Sequence, residues 1–124
     1  MAAGRYFTPK EANRTLPLVK RIVVDILETG GRIREMAEGL GKAAREDPGV
    51  RKQIDALHDL FEELDALGCS YKDWSFSVGL VDFPAVIDGQ EVELCWRSDE
   101  PEIAYYHGPE GYAGRKPIPE NYLE

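Results

Sequence analysis

The sequence is poor in the residues that cross-link small proteins or bind metals in them. Its 124 residues include two cysteines, Cys69 and Cys95, and two histidines. No CxxC, HxxxH or HExxH spacing occurs, so the spacing indicates neither a disulfide framework nor a metal motif. The two thiols are interpreted as reduced and partly buried, as is usual in a cytoplasmic protein.

Positive charge and long apolar runs are also scarce. The 15 basic residues are outnumbered by 23 acidic ones, which gives a net charge of −8. This balance argues against nucleic acid as a partner, because binding to a phosphate backbone depends on Lys and Arg. No segment approaches the roughly 18 apolar residues of a membrane span, and the first residues lack the apolar centre of a signal peptide. We therefore expect a cytoplasmic location and no membrane partner.

A β-hairpin is the clearest element that the sequence does contain. Two β-rich runs within 79–97 are joined by Asp88-Gly89, a dipeptide that favours a two-residue hairpin turn. Pairing Ile87 with Gln90 makes one face almost wholly apolar and leaves Asp82, Glu93, Cys95 and Arg97 on the other. A slip of one residue would exchange the two faces, so the pattern itself predicts this register.

Regular apolar spacing of three and four residues from Ala12 to Leu40 predicts a long helix that extends to about residue 45. Pro17 would cost about 3 kcal/mol inside that helix, so we expect a short first helix near 9–14, followed by a kink or a restart at Thr15–Pro17. Gly30-Gly31 interrupts this stripe of apolar residues, called here the helical seam. The interruption indicates either a bend or the close approach of another backbone.

A second helix is predicted from Pro48, with Asp47 as its cap, to Gly68. The two helices would pack as an antiparallel, coiled-coil-like hairpin. At about 1.5 Å per residue, the second helix covers the first only to about residue 27. The apolar residues before that point need another cover, which is either the apolar face of the β-hairpin or a second copy of the chain.

The segment Glu102–His107 is interpreted as a third strand, with Ile103, Tyr105 and His107 on the apolar side of the sheet. Pro84 is expected at an edge or a bulge, since proline cannot donate to a ladder. The sequence thus predicts one α+β domain over 1–124. Its helical hairpin, at about 9–68, would pack on a three-stranded antiparallel sheet and a draped tail at about 69–124.

Five polar residues are candidates for a site: Asp82, Arg97, His107, Glu110 and Arg115. Asp82 and Arg97 fall diagonally on one face of the hairpin, where they would either hold a polar ligand or form a structural bridge. Arg115 ends a glycine-spaced loop that resembles an anion site. Because no helix is expected after that loop, Arg115 is favoured as an anchor to a carboxylate.

No cofactor is predicted, but a divalent metal at Asp82, His107 and Glu110 is the alternative that these residue types allow. The predicted register places His107 on the opposite face from Asp82, so a structural histidine is favoured.

Several segments resemble the signature segments of the bacterial family catalogued as domain of unknown function 2203. They are Phe7-Thr8, Glu11–Asn13, Leu16-Pro17, Gly79–Ala85, Cys95–Arg97, His107 and Gly111–Pro117. The resemblance spans nearly the whole chain. It implies a helical hairpin with a small sheet, and it implies no activity, substrate or cofactor.

The functional hypothesis is a binding or assembly module that forms a homodimer through its helices. A second protein on the helical seam is a further partner that the pattern allows. A small polar pocket is expected around Asp82, Arg97 and Arg115. The alternative is an enzyme, a metal-assisted hydrolase using Asp82, His107 and Glu110. Binding is favoured because no nucleophile motif is present.

Overall fold

Two long helices, a short third helix and a five-stranded antiparallel sheet make up the computed structural model, which describes residues 5–123. The elements are α1 (Pro9–Leu40), a 3-10 turn (Gly41–Glu46), α2 (Pro48–Leu67), β1 (Ser70–Tyr71), β2 (Leu80–Ile87), β3 (Gln90–Arg97), β4 (Tyr105–His107), a second 3-10 turn (Tyr112–Gly114), β5 (Lys116–Pro117) and α3 (Glu120–Leu123). The strands lie side by side in chain order. The α+β class is confirmed, but three strands are too few, because β1 and β5 have two residues each and show no alternation.

The start of α1 follows directly from its sequence. The Thr8 hydroxyl accepts a hydrogen bond from the Glu11 N–H, and the Glu11 carboxylate accepts one from the Thr8 N–H. This reciprocal capping box satisfies two N–H groups that have no partner within the helix. Just before the cap, the Phe7 N–H donates to the Pro84 carbonyl at 2.7 Å. The contact ties the helix start to β2 beyond its pairing with β1. β2 lies between β1 and β3 rather than at an edge of the sheet, but the two-residue β1 pairs only with Val81 and Asp82 and leaves the outer side of Pro84 open.

The predicted short helix near 9–14 is wrong, because α1 runs unbroken from Pro9 through Pro17 to Leu40. Pro17 lies on the exposed side of the helix, while Leu16 and Val19 beside it are 3% and 0% exposed. Burial of an aliphatic side chain is worth about 1.5–3 kcal/mol. Two such residues next to the proline therefore outweigh the cost of about 3 kcal/mol for its missing hydrogen bond.

The helical pair also ends differently from the prediction. α1 stops at Leu40 rather than at about 45, since Gly41 takes a positive φ of 59° and the 3-10 turn follows. The start of α2 is as predicted, with the Asp47 carboxylate accepting from the Val50 N–H at 3.0 Å, and the helix ends at left-handed Gly68. Arg32 binds Gln53 and Met36 lies beside Gly49. As the position advances along α1, its contact in α2 moves back toward the start of α2, so the two helices are antiparallel.

The predicted register of the hairpin is confirmed, with Ile87 opposite Gln90, Phe83 opposite Leu94 and Val81 opposite Trp96. The apolar face of the hairpin is buried, and it shares one hydrophobic core with the first half of α1. Core members from the two elements include Leu16, Val19, Val23, Ile26, Val81, Phe83, Ala85, Leu94 and Trp96. The hairpin and the first half of α1 therefore share a single core, to which α2 also contributes Leu57 and Leu64.

The third strand differs from the prediction in both length and phase. β4 pairs Tyr106 with Leu94 and His107 with Glu93, so Tyr106 faces the core and His107 faces the other side. Ile103 is fully buried, but it reaches the core from an irregular segment. The side chain of Asn13 holds Ile103 there, accepting from its N–H at 2.7 Å and donating to its carbonyl at 3.1 Å. Ile103 and Ala104 lie outside the ladder, which begins only at Tyr105, so the alternation counted from Ile103 does not hold.

Within residues 5–123, no helix combines the length and the apolarity that crossing a lipid bilayer requires.

The Gly30-Gly31 pair has two different environments. A Cβ atom at Gly30 would lie 2.4 Å from Cγ of Phe76, whereas a Cβ atom at Gly31 would have no neighbour within 4 Å. The close approach at Gly30 is made by an aromatic side chain of the segment between β1 and β2. Helix α1 continues through both glycines.

We therefore expect opposite effects from replacing the two glycines. Gly30→Ala should lower the free energy of unfolding by about 1–3 kcal/mol, because it overpacks the contact with Phe76. Gly31→Ala should raise it by up to about 1 kcal/mol through helix propensity. Urea denaturation of both variants measures the difference, and equal effects at the two positions would contradict the packing role of Gly30.

Candidate functional site

Three ionisable side chains meet on the face of the sheet opposite the helices. Asp82 on β2 lies directly across from Cys95 on β3, and His107 on β4 lies across from Glu93, two residues along β3. The ligand atoms of Asp82, Cys95 and His107 all lie within 4.8 Å of one another. All three residues are at least 94% buried, with exposed fractions of 5%, 1% and 6%. We call them the Asp–Cys–His cluster.

The hydrogen bonds of His107 fix a proton on one ring nitrogen and require a second proton in the pair with Asp82. Its Nδ1 lies 2.9 Å from the Gly108 carbonyl oxygen, and a carbonyl only accepts, so Nδ1 carries a proton. Its Nε2 lies 3.0 Å from Oδ2 of Asp82, and a hydrogen bond there requires one more proton. Either the imidazolium donates to the carboxylate, or the carboxylic acid donates to the neutral ring.

Burial dominates the electrostatics of the cluster. It raises the pKa of the Asp82 carboxyl above its ordinary value, against the opposing effect of His107. Burial, reinforced by the charge of Asp82, raises the pKa of the Cys95 thiol to about 11. The neighbouring Glu93 carboxyl has a raised pKa for the same two reasons. Such a concentration of buried ionisable groups is more typical of a functional site than of an ordinary sheet.

A pocket of about 280 Å³ opens above the cluster. Its lining residues are Lys72, Leu80, Asp82, Cys95, His107, Gly111 and Tyr112. The cluster is buried while Lys72 and Tyr112 are exposed, so the polar floor lies beneath an open rim. The glycine-spaced loop after β4 supplies one side of this rim, and the end of β1 supplies the other.

Arg115 fastens the loop over the sheet. Its guanidinium pairs with both carboxylate oxygens of Glu100 and lies 4.1 Å from the ring centre of Tyr105 and 5.0 Å from that of Tyr112. Its Nη1 also lies 3.7 Å from Sγ of Cys95, within hydrogen-bonding reach of sulfur. Arg115 is thus anchored to a carboxylate. The following residues form β5 rather than a helix, which removes the resemblance to a phosphate loop.

Arg97 and Glu110 lie outside the cluster. Arg97 binds both carboxylate oxygens of Asp99 at 2.6 Å and donates to the Tyr112 hydroxyl at 2.9 Å. The predicted Asp82–Arg97 pair is therefore absent, because Asp99 offers a closer carboxylate and Asp82 binds His107. Glu110 accepts from the Gly108 N–H and lines a separate depression with Asp88 and Lys116.

Sequence reasoning missed Cys95, Lys72 and Glu100. Cys95 was detectable, because the predicted register already placed it opposite Asp82 on the polar face. His107 was predicted on the wrong face, since the alternation of the third strand was counted from Ile103. A shift of one residue moves a side chain across the sheet, and this shift hid the cluster.

Comparison with known protein families matches residues 5–118 to the family described as "Uncharacterized conserved protein (DUF2203)". The chain belongs to the DUF2203 family. The match includes every residue of the Asp–Cys–His cluster and of the loop that Arg115 fastens. Comparison with curated proteins found no match for this DUF2203 protein, and comparison with solved structures found none either.

Replacing Arg115 should loosen the rim of the pocket. Arg115→Lys removes the two-point contact with Glu100 and the stacking on the tyrosine rings, so we expect a loss of about 1–2 kcal/mol in the free energy of unfolding. Arg97→Lys is the matched control, because the Asp99 side chain is 55% exposed and exposed pairs contribute little. Urea denaturation of both variants should show the larger loss for Arg115→Lys, and an equal or larger loss for Arg97→Lys would contradict this role.

Proposed function

We propose that this protein is a binding module that takes up a small organic carboxylate in the pocket above the Asp–Cys–His cluster. The observation that carries the proposal is a buried hydrogen-bonded Asp82–His107 pair on the floor of an open pocket. Buried polar groups that line a concave site commonly orient a ligand. The volume of about 280 Å³ suits a molecule of a few carbon atoms or a single ring.

The charge of Lys72 supports an anionic ligand. Lys72 is exposed on the pocket rim, and within residues 5–123 its ammonium group makes no ion pair within 4.0 Å. Arg97 and Arg115 are instead matched by Asp99 and Glu100. Lys72 is therefore the cation on the rim whose charge is available to a ligand.

The remaining walls favour an organic ligand over a bare inorganic ion. Leu80 and the ring of Tyr112 give the pocket an apolar side, and the hydrogen bond from Arg97 holds that ring in place. Arg97 and Arg115 thus shape the pocket that was expected around them, while Lys72, Asp82 and His107 face the ligand.

Calorimetric titration with acetate, propionate and benzoate, each beside its neutral amide, tests this proposal. We expect the acids to bind more tightly than the amides, and Lys72→Met to weaken acid binding about tenfold, which corresponds to about 1.4 kcal/mol. Lys52→Met is the charge-matched control, because Lys52 is an exposed residue of α2 that does not line the pocket. Leu80→Trp should block the pocket without altering the cluster.

The titrations are made with both chelator-treated and zinc-loaded protein. Absence of carboxylate binding in both forms would overturn the proposal, as would equal affinity for acids and amides. Unchanged affinity in Lys72→Met would contradict the role of Lys72.

We also propose that the module self-associates through its helices. The distal half of the helical pair, which is the half next to the 3-10 turn at Gly41–Glu46, lies beyond the sheet. Ile33 and Met36 in this half are only half buried. Leu40 and Ile54 in the same half are 40% and 36% exposed. A second copy of the chain would cover these side chains and remove their apolar surface from water.

Light scattering at micromolar concentration should give about twice the 13.9 kDa mass of one chain. The double variant Leu40→Glu/Ile54→Glu should be monomeric, because it introduces charge into the proposed interface. Leu18→Glu is the control, at a side chain of the proximal half of α1 that is 47% exposed. A monomeric wild-type protein would overturn the proposal.

A further inference from the structure

We propose that Asp82, Cys95 and His107 bind one divalent transition metal ion, with Zn²⁺ as the expected ion. This inference deepens the proposed function, because the ion would lie on the floor of the pocket assigned to the carboxylate. It assigns a role to Cys95, which hydrogen bonding between Asp82 and His107 leaves unexplained. Cys95 takes the place of Glu110, the third ligand of the metal site that the sequence allowed, because Glu110 lies apart from the cluster.

The spacing of the three donors fits a metal ion. Zinc bonds of 2.0–2.3 Å at tetrahedral angles place neighbouring ligand atoms roughly 3.3–3.8 Å apart. The ring nitrogen of His107 lies 3.0 Å from the Asp82 oxygen, and the three ligand atoms all lie within 4.8 Å of one another. Small side-chain rotations would bring all three donors to bonding distance.

The surroundings of the donors are those of metal ligands. A metal-binding histidine usually donates its other ring N–H to a carbonyl or a carboxylate, which fixes the tautomer and the ring orientation. The bond from His107 Nδ1 to the Gly108 carbonyl does this and directs Nε2 at the other two donors. The Arg115 guanidinium, 3.7 Å from the Cys95 sulfur, would stabilise the thiolate that a metal requires.

The donor types select the ion. One thiolate, one imidazole and one carboxylate suit zinc and its transition-metal neighbours, while Mg²⁺ and Ca²⁺ prefer oxygen donors alone. A divalent ion would also balance the two negative charges of an ionised Asp82 and Cys95. Burying this set is then less costly than burying the same charges alone.

The number of protein ligands indicates an open coordination position. Structural zinc sites use four protein ligands, whereas three leave a position for water or another ligand. That position would face the pocket between Lys72 and Tyr112. A carboxylate held by Lys72 could therefore complete the coordination of the metal.

Cobalt and zinc titrations of chelator-treated protein test the site. We expect one Co²⁺ per chain, with visible ligand-field bands, a near-ultraviolet cobalt–thiolate absorption, and displacement of the bands by Zn²⁺. Cys95→Ser should lose the thiolate absorption, and Asp82→Asn and His107→Phe should each weaken binding at least tenfold. Cys69→Ser and His58→Phe are the matched controls. Cys69 is the other buried thiol, His58 is exposed on α2, and both variants should bind like wild type.

A rise in the melting temperature of the wild-type protein with Zn²⁺ gives a readout that needs no variant. Absence of Co²⁺ and Zn²⁺ binding at micromolar concentration would overturn the metal site, as would a thiolate absorption that persists in Cys95→Ser. Carboxylate binding by metal-free protein would still support the proposed function in that case. Metal binding without carboxylate binding would support the site and overturn the proposed function.

Discussion

The packing of the β2–β3 hairpin on the first half of α1 is the interaction on which the rest of the structure depends. Val81, Phe83 and Ala85 are fully buried, and they share one core with Leu16 and Val19. Because successive side chains of a strand point to opposite faces, burying these residues forces Asp82 to the other side. The hydrophobic effect that forms the core thereby also positions the polar site.

The outer face of the sheet is covered by a loop rather than by a helix. The chain from Gly108 to Arg115 returns over the strands and is held by Glu100 and by two tyrosine rings. This arrangement buries Cys95 and His107 without filling the space above them. A polar cluster at the base of a pocket is the result, with its rim made of segments that carry charge and aromatic surface.

The polar cluster costs stability unless its groups satisfy one another. Every member of the cluster has a partner: His107 binds both Asp82 and the Gly108 carbonyl, and Cys95 receives a hydrogen bond from Arg115. Apolar side chains of the same size would pack there at lower cost. Three ionisable groups at these positions of β2, β3 and β4 are therefore not what folding stability alone would favour.

Local patterns in the sequence determined the capping box of α1, the start of α2, its end at Gly68 and the register of the hairpin, because each depends on residues close together in the chain. Only the tertiary structure decided that α1 continues through Pro17, since that depends on burial against a distant sheet. It also decided that Gly30 accommodates Phe76. The phase of β4 depends on Asn13 holding Ile103, a contact across 90 residues, and that phase brings His107 to Asp82. Residues far apart in sequence therefore complete a site whose first two members, Asp82 and Cys95, the hairpin pattern had already placed side by side.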